Sequence, residues 1–154
     1  MNQSTPPYSN GRLRVRLGLV LTILGFVVFL LGVDPGIFRL DRSPVTGFVQ
    51  IAVFLVGLAM ICMGGYVGLN ALWNGREKTI AADIGLRLVS TGYVIAVASG
   101  MADIFGFGNH PLPNIPYFGW WQAIGVIIGE LAIAIGFILV IPYPMYSMLP
   151  PADS

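Results

Sequence analysis

The chain has 154 residues, 56% of them hydrophobic and 10% charged, with a net charge of +1. An ordinary soluble domain carries roughly a quarter charged residues, and four charge-poor segments here meet or approach the length of a membrane span, which argues against a soluble globular protein. The near-neutral balance also leaves no electrostatic basis for binding nucleic acid or for a strongly basic membrane-surface domain.

In chain order, residues 1–12 form a polar tail (Asn2, Gln3, Ser4, Pro6, Pro7) expected to be disordered and cytoplasmic. Span 1 is expected over roughly Leu13 to Val33, matching the roughly 20 apolar residues that cross a bilayer core of about 30 Å. Its basic start and apolar core resemble a signal peptide, although a cleavable one normally has a shorter core and a small-x-small site. Span 1 is read as retained because span 3 repeats it, and removing it would leave half a repeat. Span 2 covers roughly Val45 to Leu72 and contains Cys62, the lone cysteine, which excludes an intramolecular disulfide and is read as a small buried hydrophobe. Span 3 covers roughly Ile80 to Ala102 and span 4 roughly Phe118 to Ile141. Between them, Asn109 to Pro116 is proline-rich and reads as an extended loop, lying on the bundle or against a partner. The last segment, 142–154, has four prolines and cannot continue a helix. The expected fold is an all-α integral membrane bundle of four transmembrane helices, arranged as two hairpins over 13–72 and 80–141.

Basic residues set the expected orientation. Arg12, Arg14 and Arg16 precede span 1, and Arg76 and Lys78 lie between spans 2 and 3. The opposite loops hold only Arg39 and Arg42, offset by Asp34 and Asp41. Both termini are then cytoplasmic, in a multi-pass protein of the plasma membrane. Tyr117, Trp120 and Trp121 are placed to anchor span 4 at the membrane boundary.

The two hairpins read as a tandem repeat. Pro44, Gly47, Gln50, Gly57, Ile61 and Gly64 recur without a gap as Pro116, Gly119, Gln122, Gly129, Ile133 and Gly136. Glutamine is the informative letter, because the chain has only three and two take this equivalent place. Upstream, Gly18, Gly25, Phe26 and Val27 align with Gly85, Gly92, Tyr93 and Val94. A repeat of an even number of spans keeps its orientation, so the halves are expected to be related by a two-fold axis along the membrane normal.

Small residues seven apart form a stripe on each span: Gly18, Gly25 and Gly32; Gly57 and Gly64; Gly85, Gly92 and Ser99; Gly129 and Gly136. Seven residues is close to two turns, so each stripe stays on one face. In lipid, helices associate where small residues let backbones approach. These stripes are expected to build the bundle.

Glu130 is the exceptional polar residue, near the middle of span 4, where the first copy has Leu58. An ionisable group at such depth costs at least ~2.5 kcal/mol and is commonly paired, protonated or functional. The first expectation is an ion pair with Arg87 that clamps spans 3 and 4. Arg87 has two other options, pairing with Asp83 one turn earlier or reaching toward the cytoplasm. In the functional alternative, Glu130 is a protonatable carboxylate coupled to a passing proton or cation. Gln50 and Gln122 are expected to bond across the two-fold or to cap a neighbouring turn, for about 0.6–2 kcal/mol each. Asp34 and Asp103 are expected to end spans 1 and 3 at one surface.

No nucleophile–base pair, phosphate-binding loop or zinc spacing occurs. With His110 as the lone histidine, the chain cannot supply two axial ligands to a haem. No catalytic residue, metal site or cofactor is expected. The sequence points first to a non-catalytic structural or accessory subunit of a membrane complex, with the lipid bilayer and other membrane subunits or a second copy as partners and no nucleic acid. The alternative is a small oligomeric transporter or channel component that uses Glu130.

Overall fold

The computed structural model describes residues 10–34, 47–108 and 118–143. Outside these residues fall the first part of the N-terminal tail, Arg39, Asp41, Arg42, Pro44, the Asn109 to Tyr117 segment with His110, and most of the C-terminal tail. All regular structure among the described residues is helical, and four helices are long and apolar enough to cross a membrane. The chain is thus a small multi-pass membrane protein in contact with lipid.

Helix α1 spans Asn10–Val33, three residues earlier than expected, so the turn bearing Arg12, Arg14 and Arg16 is helical. Its 24 residues extend about 36 Å at 1.5 Å per residue. That exceeds an apolar core of about 30 Å, and the basic turn can project beyond it. Helix α2, Phe48–Leu72, is entered through Gly47 in an extended conformation. After Trp73 the chain reverses through Asn74 and Gly75, both left-handed (φ 48° and 80°), which these two residue types tolerate best.

Helix α3, Ile80–Gly100, starts at Thr79, whose hydroxyl accepts a hydrogen bond from the Ala82 N–H at 3.2 Å. Asp83 in the first turn complements the helix dipole. The expected span 3 ran unbroken to Ala102. Instead, the chain breaks at Met101 and makes a single turn, α4, over Ala102–Phe105, ended by left-handed Gly106 (φ 87°). Helix α5, Trp120–Val140, is entered through Gly119 with nearly the same backbone angles as Gly47. Trp120 and Trp121, at its start, are exposed.

The helices pack as two tight pairs, α1 with α2 and α3 with α5, and α2 alone of the first pair packs along both helices of the second. Glycine makes each pair close. A methyl group added at Gly18 would lie 2.5 Å from the Gly68 nitrogen and 2.7 Å from the Gly64 oxygen; one added at Gly25 would lie 2.9 Å from the Gly57 oxygen. In the second pair the corresponding contacts are Gly85 to the Gly136 oxygen at 2.6 Å and Gly92 to the Gly129 oxygen at 2.5 Å. The small-residue stripes are therefore used inside the hairpins.

Larger side chains join the hairpins. Ile51, Phe54, Leu55 and Leu58 of α2 form the core with Val89 and Ala96 of α3 and Val126 and Ile133 of α5. At the end bearing the arginines, the Phe137 ring packs over Gly65. There the buried Trp73 indole N–H donates to the Val140 carbonyl at 2.9 Å. That carbonyl belongs to the last turn of α5, where helix carbonyls lack a partner in their own helix.

Candidate functional site

Three helices converge around Glu130. It is half-buried on α5 and lines a cavity of about 390 Å³ between α1, α2 and α5. Phe29 and Gly32 come from α1, Phe54 from α2, and Phe118 and Val126 from the α5 side. The rings interlock edge-to-face: Phe29 and Phe54 have centroids 6.0 Å apart at 87°, and Phe54 and Phe118 6.4 Å apart at 87°. Such pairs favour fixed ring positions. Gly32 meets the Phe54 backbone directly, which brings α1 and α2 together at one wall of the cavity.

The expected clamp between Arg87 and Glu130 does not form. Arg87 lies on the exposed surface of α3 and pairs with Asp83 at 3.1 Å. The reason is helical phase. Gly85, Val89, Gly92 and Ala96 form the buried face of α3, and Arg87 is two residues past Gly85, about 200° around the helix. Depth disagrees as well. Gly92 abuts Gly129, so Arg87 sits about 6 Å nearer the helix start than the level of Glu130. Among the described residues, Glu130 makes no hydrogen bond or ion pair.

Three hydroxyls within the spans are satisfied within their own helices. Ser90 donates to the Leu86 carbonyl at 3.1 Å, Thr91 to the Arg87 carbonyl at 2.8 Å, and Thr22 to the Gly18 carbonyl at 2.8 Å. The two glutamines do not meet across the molecule. Gln122 is buried and its side-chain oxygen accepts from the Gly119 N–H at 2.6 Å, capping its own helix. Gln50 donates to the Val33 carbonyl at the end of α1, at 3.5 Å. Asp34 follows α1, its N–H bonded to the Leu30 carbonyl at 2.9 Å. Asp103 is buried within α4, closely packed against Gly108 rather than at the last turn of α3.

A smaller cavity of about 300 Å³ lies near this end, lined by Ser99, Phe107, Trp121 and Gln122. Cys62 is a free thiol. No three His, Cys, Asp or Glu side chains gather among the described residues. The structure thus separates Glu130 from Arg87 and gives it three phenylalanines that the sequence did not single out. They sit on different segments, and an aromatic residue within an apolar span carries no mark of its own. Trp73 was missed as well, although a tryptophan at the turn after a span is a usable signal of anchoring. Comparison of the chain with protein families, with curated proteins and with solved structures finds no match.

Proposed function

We propose that this protein is a non-catalytic accessory or structural subunit of a membrane complex, built from two copies of one helical hairpin. It resides in the cytoplasmic membrane with both termini inside. The observation that carries the reading is the uneven cover of the helices: α1 packs along α2 alone among the long helices, and Leu17, Leu19, Val20, Ile23, Leu24 and Phe26 remain exposed along it. A second subunit against α1 would complete the bundle without disturbing any glycine contact. The matching contacts Gly18–Gly64 with Gly85–Gly136, and Gly25–Gly57 with Gly92–Gly129, support descent from one hairpin. Purification in mild detergent followed by native mass spectrometry tests the reading. A stoichiometric assembly with other membrane proteins is expected, and a lone monomer or homodimer would sink it.

One observation favours a second reading, a small oligomeric transporter or channel component. Glu130 lines a cavity and has no ion-pair partner among the described residues. Intramembrane carboxylates in that situation are functional by default. In reconstituted vesicles, Glu130→Gln should abolish cation or proton flux while leaving the protein folded. Flux retained by this variant would remove Glu130 from the mechanism.

A further inference from the structure

We infer that the cavity beside Glu130 binds an apolar organic cation of single charge, with its charge spread over a bulky group, as in a quaternary ammonium or phosphonium ion. The inference rests on the second reading's use of Glu130, but its test measures binding and needs no transport.

Three features of the cavity define the ligand. A carboxylate at the middle of a span is stabilised in its charged form by a counter-charge, so a cation gains there, an anion is repelled and a neutral ligand gains nothing. Phe29, Phe54 and Phe118 supply the rest of the recognition, since aromatic rings attract a cation and bury apolar surface together. Among the described lining residues, the carboxylate has no second acidic or amide side chain beside it. A metal ion needs several oxygen ligands, and a primary ammonium has three donors to satisfy. A cation without N–H donors needs only one counter-ion and an apolar wall.

Size separates a small ligand from a partner helix. The cavity, about 390 Å³, falls in the range of about 300–1,000 Å³ typical of small-molecule sites. Among the described residues, it runs on the α5 side from Phe118 to Glu130. Nearer the arginine-bearing end, α2 and α5 close on each other through Phe137 on Gly65. A transmembrane helix would need a groove along the whole span, about 30 Å.

The test is equilibrium dialysis of tetraphenylphosphonium against the purified full chain in mild detergent, with triphenylphosphine oxide as a neutral comparator. Wild type should bind the cation saturably and the oxide no better than detergent alone. Glu130→Gln should weaken binding at least about thirtyfold, and Glu130→Asp should restore most of it. Ala123→Phe keeps the carboxylate but fills the cavity that Ala123 lines, and should also abolish binding. If Glu130→Gln does not fold, the Ala123→Phe variant and competition by tetrapropylammonium decide. Equal uptake by wild type and both variants would mean partition into detergent only and would overturn the proposal. No binding by wild type, with Glu130-dependent proton or alkali-cation flux in vesicles, would sink the ligand class and leave the transporter reading standing. Saturable Glu130-dependent binding without flux would support the site and sink transport.

Discussion

The two hairpins close by the same device and differ in how they face each other. Gly18 meets Gly64 as Gly85 meets Gly136, and Gly25 meets Gly57 as Gly92 meets Gly129. One residue past the equivalent glycines stand Leu58 and Glu130. Leu58 is buried in the core between the hairpins, and Glu130 lines a cavity. If the hairpins are exchanged, the contact of α2 with α3 corresponds to one of α5 with α1. The first is a packed seam. The second is replaced by the cavity. A helix pair in lipid holds together through its own small-residue face, so each hairpin stays intact when the packing between hairpins becomes unequal. The unequal seam is where a site can form, and the one carboxylate in mid-span lies on it.

The sharpest way to break this comparison is to crowd the glycine contacts. Gly25→Leu and Gly92→Leu each force a side chain onto the facing helix backbone. Each should lower stability in detergent by about 3 kcal/mol, or prevent folding. Comparable losses in thermal denaturation would uphold the equivalence of the hairpins, and a leucine tolerated in one alone would end it.

Glu130→Leu gives the second hairpin the residue that the first has at the corresponding position, one past the glycine in contact. Loss of an intramembrane carboxylate without a partner should leave stability unchanged or raise it by up to about 2 kcal/mol. A lower melting temperature would instead assign Glu130 a structural role.

Trp73→Phe tests the strap between hairpins. A smaller phenyl ring replaces the buried indole, so the donor to Val140 and part of the packed volume are both lost, which should cost at least about 1–2 kcal/mol. An unchanged melting temperature would show that the core of α2 suffices to join the halves. The smallest effect belongs to Arg87→Ala. An exposed pair one helical turn apart contributes no more than about 0.5 kcal/mol, whereas breaking a buried pair with Glu130 would cost about 3–5 kcal/mol. One melting curve separates the two.

Much of the fold was legible because the bilayer leaves few options. Runs such as Leu17 to Val33 can only be helices in lipid, where every backbone polar group needs an internal partner. The glycine stripes lie on the faces where the helices of each pair come closest, because small residues let backbones approach in lipid. Span ends were less legible: α1 starts at Asn10 because its arginines extend the helix, and α3 stops at Gly100 with α4 following as a separate turn. The placement of Arg87 was in fact readable. The stripe through Gly85 and Gly92 fixes the inward face of α3, and Arg87 is off it. Depth alone suggested a partner that helical phase forbids.

The sequence by itself determined four spans, their small-residue faces and one carboxylate at mid-depth, because hydropathy and periodicity act along a single helix. Only the tertiary structure decided which helix each face meets, that α2 joins the hairpins, and that Phe29, Phe54 and Phe118 gather beside Glu130. Apolar side chains gain as much from lipid as from one another, so the choice among neighbours rests on shape and close packing. Those belong to pairs of helices, and a pattern read along one chain does not contain them.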